Sequence, residues 1–177
     1  MKVIFSHGKE SGPWGSKITA MAEVAKTLDA TAEIEVESID YTHTLDPQQR
    51  VEILRKSLDR EDLILVGSSM GAYVSAVAAQ HYPVRGLFLL APAFYMSGYD
   101  NQDFSKIRCP VTVIHGWGDD VIPYSHSVRF AKDQRANLII IDSDHRLESA
   151  QSQLAHYFRL FLLEIIGKKS SSESILA

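Results

Sequence analysis

Short apolar runs alternate with longer segments of helical period along the whole chain. The runs at residues 2–6, 34–39, 63–67, 86–90, 111–115 and 137–141 are rich in Val, Ile, Leu and Phe and predict six strands. Between them the apolar spacing predicts helices over 16–28, 47–58, 70–81 and 124–131, with a last helix over 148–166. A parallel strand pair needs a crossover long enough to hold a helix, so this alternation builds βαβ units. The expected fold class is α/β: a three-layer sandwich with a six-stranded, mostly parallel sheet and helices on both faces. Two boundaries carry their own chemistry. Asp46 before Pro47 is a capping residue ahead of a proline suited to the first helical turn, and Gly167 is expected just past the last helix. Residues 95–108 have no long apolar period and contain Gly98, Asp100, Asn101 and Asp103, which predicts a loop or a short lid. Glu33, Glu35 and Glu37 alternate as on the solvent face of an edge strand.

Composition narrows the function more than the fold. With 177 residues, 45% of them hydrophobic, the chain suits one domain with a sizeable core, expected over residues 1–167, and a polar, serine-rich tail over 168–177 expected to be mobile. A net charge of -4 with scattered Lys and Arg offers no electrostatic footprint for nucleic acid or an anionic membrane. Cys109 is the only cysteine, which excludes an internal disulfide and any C-x-x-C motif and points to a reducing cytoplasm. The opening apolar stretch is too short for a signal-peptide core, and no run approaches the roughly 18 apolar residues of a membrane span.

The chemistry centres on Gly67-Ser68-Ser69-Met70-Gly71, a G-x-S-x-G pentapeptide between the strand at 63–67 and the helix at 70–81. At such a strand-to-helix turn the serine is held in a strained conformation with its hydroxyl above the sheet, and the flanking glycines remove side chains that would collide with neighbours. Ser69 is the candidate nucleophile. An acyl-transferring serine needs a base, an acid that orients the base, and N–H donors for the oxyanion, with the side chains in the order Ser, Asp or Glu, His along a sheet of this kind. After the strand at 111–115 stand Asp119 and Asp120, and after the strand at 137–141 stands His145. Asp119 is the preferred acid, with Asp120 its rival, and His145 is the base. Asp142 and Asp144 sit too close along the chain to orient His145 and read as turn residues. The oxyanion donors expected are the Met70 N–H, at the start of its helix, and the Lys9 N–H in the glycine-rich loop after the first strand, with Glu10 as its alternative.

Taken together, the His7-Gly8 loop, the G-x-S-x-G turn, His115-Gly116-x-x-Asp119 with Val121-Ile122-Pro123, and Asp144-His145 resemble the α/β-hydrolase superfamily over nearly the whole chain. Within it, Gly67 to Gly71, Gly118 to Pro123 and Ser143 to Leu147 are similar to the mitochondrial acyl-protein thioesterase and acyl-glucuronide esterase branch. The resemblance implies a serine esterase or thioesterase with Ser69, Asp119 and His145 as triad and Lys9 and Met70 as oxyanion donors. It also implies that the second strand is a sheet edge. The chain lacks the strands that precede the first one in larger members, and it has almost no cap between Leu90 and Val111. An open site of this kind suits a small ester or thioester or an acyl chain on a larger carrier.

No cofactor or metal is expected, because the histidines show no H-E-x-x-H or other ligand spacing. His7 and His115, each before a glycine at a strand end, read as structural, and Cys109 before Pro110 as a packed small residue. Tyr41, Trp14, Phe94, Tyr95 and Trp117 lie on loops at the active end, either lining an acyl pocket or packing the core edge. The alternative function from another class is a protein-binding module on a hydrolase fold; a further one is acyl transfer to an acceptor other than water.

Overall fold

Strands form at all six apolar runs: β1 (Lys2–Ser6), β2 (Glu35–Ile39), β3 (Leu63–Ser68), β4 (Gly86–Leu90), β5 (Val111–Gly116) and β6 (Asn137–Ile141). They pair in parallel in the order β2-β1-β3-β4-β5-β6, which places β2 at an edge and the consecutive β3 and β4 in the middle. The computed structural model describes residues 1–28 and 34–173, with side chains through Gly167. Glu33 and residues 174–177 of the expected tail lie outside that range.

The helices are α1 (Ser16–Thr27), α2 (Pro47–Arg55), α3 (Met70–Ala78), α4 (Tyr124–Gln134) and α5 (Gln151–Glu173), the last preceded by a 3-10 turn at Glu148–Ala150. Asp46 caps α2 as expected, accepting from Gln48 N at 2.8 Å with Pro47 in the first turn. Both α2 and α3 stop about one turn early because their last residues switch to i→i−3 bonds, such as Ser57 N to Leu54 O and His81 N to Ala78 O. Helix α4 runs past the apolar period to Gln134 and ends on Arg135 in the left-handed region at φ 54°, a position where glycine is the usual marker. Gly167 does not end α5, which continues through it to Glu173. One interior glycine costs about 1 kcal/mol relative to alanine, too little to interrupt a helix of that length.

Period-two alternation divides the core cleanly. Ile4, Leu65, Leu87, Leu89 and Val113 face one side and pack with Val51 and Leu54 of α2, Ala72 to Ala79 around α3 and Phe130 of α4. Val3, Phe5, Ile64, Val66, Phe88, Leu90 and Ile114 face the other and pack with Ile18 and Met21 of α1 and Leu154, Phe158 and Phe161 of α5. Strands buried on both faces read as continuous apolar runs, which is why their positions were legible. The stretch between β4 and β5 has no regular element, yet it is anchored: Phe94 stacks on Phe130 at 4.2 Å, and Phe104 and Ile107 are buried beside it. The glutamates of β2 are not simply solvent-facing, since Lys2 Nζ reaches Glu37 at 2.7 Å and Glu35 at 3.7 Å.

The turn from β3 into α3 needs both of its glycines. A Cβ on Gly71 would sit 2.0 Å from Ser6 O, and one on Gly67 would sit 2.4 Å from Ala72 Cα, both against backbone that has no room to yield. By contrast, a Cβ on Gly12 meets nothing within 4 Å. Gly71→Ala is therefore expected to lose about 3 kcal/mol of stability, or roughly 6–12 °C in Tm. Gly12→Ala should stay within about 0.5 kcal/mol of the parent. Thermal unfolding followed by circular dichroism compares the two, and equal Tm values would contradict the backbone contact.

Candidate active site

Ser69 stands at the carboxyl end of β3 with φ 54° and ψ −118°, a left-handed backbone that costs a non-glycine residue on the order of 1–3 kcal/mol. Its own peptide groups offset that strain. Ser69 N donates to Leu90 O at 2.8 Å, and Ser69 O accepts from Ala72 N at 3.0 Å, Ala93 N at 3.1 Å and Tyr73 N at 3.2 Å. The side chain is thereby fixed above the sheet at the N-terminus of α3.

His145 and Asp119 arrive from the loops after β6 and β5. His145 Nε2 lies 3.1 Å from Ser69 Oγ, and His145 Nδ1 lies 2.7 Å from Asp119 Oδ2. With Nδ1–H donating to the carboxylate, Nε2 is left as the acceptor facing the serine hydroxyl. The two loops meet because Gly116 carries no side chain: a Cβ there would lie 2.3 Å from Ser143 O. Trp117 N bonds Ile141 O and Gly118 N bonds Ser143 O, both at 2.9 Å, and complete the junction. Lys17 of α1 donates to Arg146 O, tying down the residue after His145. Asp144 accepts from Leu147 N and is the expected turn residue, whereas Asp120 is exposed. Of the two aspartates after β5, the fold brings Asp119 to His145.

The Asp119 side chain is fully buried and fully bonded. Oδ1 accepts from Val121 N at 2.9 Å and Ile122 N at 2.8 Å, while Oδ2 accepts from His145 Nδ1 and from His115 Nε2 at 2.9 Å. Burial alone would raise its pKa, but the Ile122 N–H, His145 and the Val121 N–H outweigh it and hold the carboxyl below the ordinary 3.8. His115 is thus more than a packed strand-end residue. Its Nδ1 contacts Ser127 Oγ at 2.7 Å, and its Nε2 faces two acceptors, Asp119 Oδ2 and Ile122 O, so Nε2 carries the proton. The His115-to-Asp119 spacing was visible in the sequence, but nothing there indicated that the intervening turn folds the carboxylate back onto the ring.

The loop after β1 closes the site from the other side. Gly8 lies beside Ser69, its Cβ position 3.5 Å from Ser69 Cβ. Neither the Lys9 N–H nor the Met70 N–H has an acceptor among the described residues. His7 is buried, with Nδ1–H donating to Gly8 O at 2.7 Å and Nε2 accepting from Tyr41 N at 3.0 Å. Arg50, which sequence reasoning did not single out, also reaches this loop. Among the aromatic candidates, Tyr41 and Phe94 are core residues, while Trp14 and Trp117 are about half exposed and Trp117 packs edge-on against Tyr124. Burial raises the Cys109 thiol to about 12, far from thiolate chemistry. Among the described residues no cluster of three His, Cys, Asp or Glu side chains suits a metal ion, and no helix is long and apolar enough to cross a membrane.

The six-stranded parallel sheet, with the serine turn at its centre and loops converging at its carboxyl edge, defines an α/β hydrolase. Residues 2–159 match the phospholipase/carboxylesterase family, and the chain belongs to it as an esterase-type hydrolase. A protein assigned to the hydrolases of the alpha/beta superfamily from Xanthomonas campestris pv. campestris is 30% identical. It superposes with a TM-score of 0.82 over 92% of this chain and 97% of that one. Est1E from Butyrivibrio proteoclasticus (19% identity, TM-score 0.80, 94% and 88% covered) shares the fold. So does alpha/beta hydrolase domain-containing protein 10 from mouse (19% identity, TM-score 0.72, 94% and 90% covered). No curated protein matches the chain at a significant level.

Burial lowers the pKa of both His7 and His115 from the ordinary 6.5, more than their hydrogen bonds raise it. Between the lowered folded value and 6.5 the unfolded chain binds more protons, so stability is complete above pH 6.5 and falls as the pH drops below it. Urea midpoints measured from pH 7.5 to 5 should decline in that window. His115→Gln, which keeps a donor toward Asp119 but cannot titrate, should flatten part of the slope; an unchanged slope would contradict the assignment.

Proposed function

We propose that the protein is a serine esterase or thioesterase that works through an acyl-enzyme on Ser69, with Asp119 and His145 completing the triad. The observation that carries this reading is the unbroken line from Ser69 Oγ to His145 Nε2 at 3.1 Å and from His145 Nδ1 to Asp119 at 2.7 Å. Ser69 Oγ attacks the acyl carbon as its proton passes to His145 Nε2. The carbonyl π pair moves to oxygen, and the oxyanion is met by the Lys9 and Met70 N–H groups, aided by the α3 dipole. On collapse the acyl C–O or C–S bond breaks, His145 returns its proton to the leaving alcohol or thiol, and Ser69 keeps the acyl group. Water then repeats the sequence, with His145 first as base and then as acid, and releases the carboxylic acid. Buried and fully bonded, Asp119 stays ionised and holds the imidazole in the productive tautomer.

The substrate we assign is a small carboxylic ester or thioester, or an acyl group on a larger carrier. Without a cap element between β4 and β5, the site should select weakly among short activated esters. A cytoplasmic setting suits the lone, partly buried Cys109 thiol.

Fluorophosphonate labelling with peptide mapping, alongside hydrolysis of p-nitrophenyl acetate and butyrate, tests the reading. Label is expected on Ser69 alone and is lost in Ser69→Ala and His145→Ala. Asp119→Asn should lower kcat on the order of 10⁴-fold, and Asp120→Asn should change it less than about twofold. A folded wild type that neither labels nor hydrolyses ester would favour a binding module on this fold. Label on another residue would remove Ser69 from the mechanism.

A further inference from the structure

Arg50 of α2 has no accessible surface, yet it lacks the partner a buried cation ordinarily requires. Its guanidinium donates only to backbone carbonyls: Nε to Thr44 O at 3.0 Å, Nη1 to Gly8 O at 3.1 Å and His7 O at 3.2 Å, and Nη2 to Tyr41 O at 3.4 Å. Among the described residues no carboxylate pairs with it; the titratable groups coupled to it are Tyr41, Tyr99 and His7, and the Tyr41 ring lies 5.2 Å from its guanidinium carbon. Desolvating a charge with no anionic partner costs several kcal/mol, which the four carbonyl bonds offset only in part, so charge pairing does not account for an arginine at this place. What the charge touches supplies the reason for its presence.

Gly8 O and Lys9 N–H are the two ends of one planar trans peptide and point in opposite directions. The oxygen end is gripped twice, by Arg50 Nη1 and by His7 Nδ1 at 2.7 Å, and His7 is itself oriented by Tyr41 N. Two donors on the oxygen, one of them cationic, fix the peptide plane and draw electron density toward the carbonyl, which strengthens the N–H as a donor. The carbonyl points into the interior at Arg50, so the Lys9 N–H at the other end of the peptide is directed outward, and the Gly8 end of that peptide lies against Ser69. We propose that Arg50 is a positioning residue for ester hydrolysis: with His7 it locks and polarises the Gly8–Lys9 peptide so that the Lys9 N–H is preset for the tetrahedral oxyanion. This rests on the esterase reading above.

The test compares Arg50→Met and Arg50→Lys with Leu54→Ala, a buried residue of the same helix that touches neither loop carbonyl. The readouts are kcat and KM on p-nitrophenyl butyrate, the inhibition constant of an alkyl trifluoromethyl ketone, whose hemiketal oxyanion occupies the same place, and Tm. Loss of a whole oxyanion donor costs roughly 10²–10³ in kcat, and Arg50→Met, which loosens one, should cost about 10- to 100-fold. Its KM should hold within about twofold, and the ketone should weaken in proportion to kcat. Arg50→Lys, keeping the charge but not the fork, should fall between. Leu54→Ala should lower Tm but leave kcat and ketone affinity near wild type. If Arg50→Met does not fold, Arg50→Lys decides alone, with kcat and ketone affinity falling together. Arg50 variants with wild-type kcat and ketone affinity, or a loss matched by Leu54→Ala, would overturn the proposal while leaving the esterase reading intact. A wild type without activity or Ser69 labelling would overturn that reading, and this one with it.

Discussion

The approach of Gly71 to the end of β1 is the contact on which the rest of the site depends. Its backbone lies so near the Ser6 and His7 carbonyls that a Cβ would stand 2.0 Å from Ser6 O, well inside van der Waals contact. That closeness brings the N-terminus of α3 against the loop after β1, so the strained Ser69, the Met70 N–H and the Gly8–Lys9 peptide share one small volume. Backbone–backbone packing of this kind cannot be adjusted by rotamer changes, which is why a glycine supports the geometry from beneath rather than from within the site.

A second close approach does the same on the opposite side. Gly116 lets the loop after β5 press on Ser143 and Asp144, and the junction presents Asp119 and His145 to one another. Electrostatics then takes over from sterics. Asp119 is stripped of water but receives donors at both oxygens, so burial and ionisation coexist, and the cost of the buried charge is offset by bonds already in place. Arg50 presents the converse arrangement, a buried cation compensated by carbonyl dipoles and the face of Tyr41 rather than by an anion. The anion, on the loop after β5, bonds the imidazole, and the cation, on α2, bonds the Gly8–Lys9 peptide.

Legibility varied with the range of the interaction. The strands were readable because residues such as Ile64 to Val66 and Leu87 to Leu90 are buried on both faces and leave unbroken apolar runs. The ends of α2, α3 and α4 were not, since bonding in the last turn is decided by tertiary packing and not by apolar period. Gly167 was misleading for the same reason: a residue that permits a stop does not require one. Phe94 and Phe104 sat in a stretch without period, and only the fold revealed them as anchors beside Phe130.

By itself the sequence determined the element order, the α/β class and the serine turn, because these rest on periodicity and on residues adjacent along the chain. It narrowed the acid to Asp119 or Asp120 and named His145, but it carried no information on distance between residues 76 positions apart. The tertiary structure decided that Asp119 faces His145, that His115 shares its carboxylate and that Arg50 grips the Gly8 carbonyl. Each of those contacts joins segments whose meeting depends on how loops cross above the sheet, and a crossing of loops leaves no periodic trace in a linear chain.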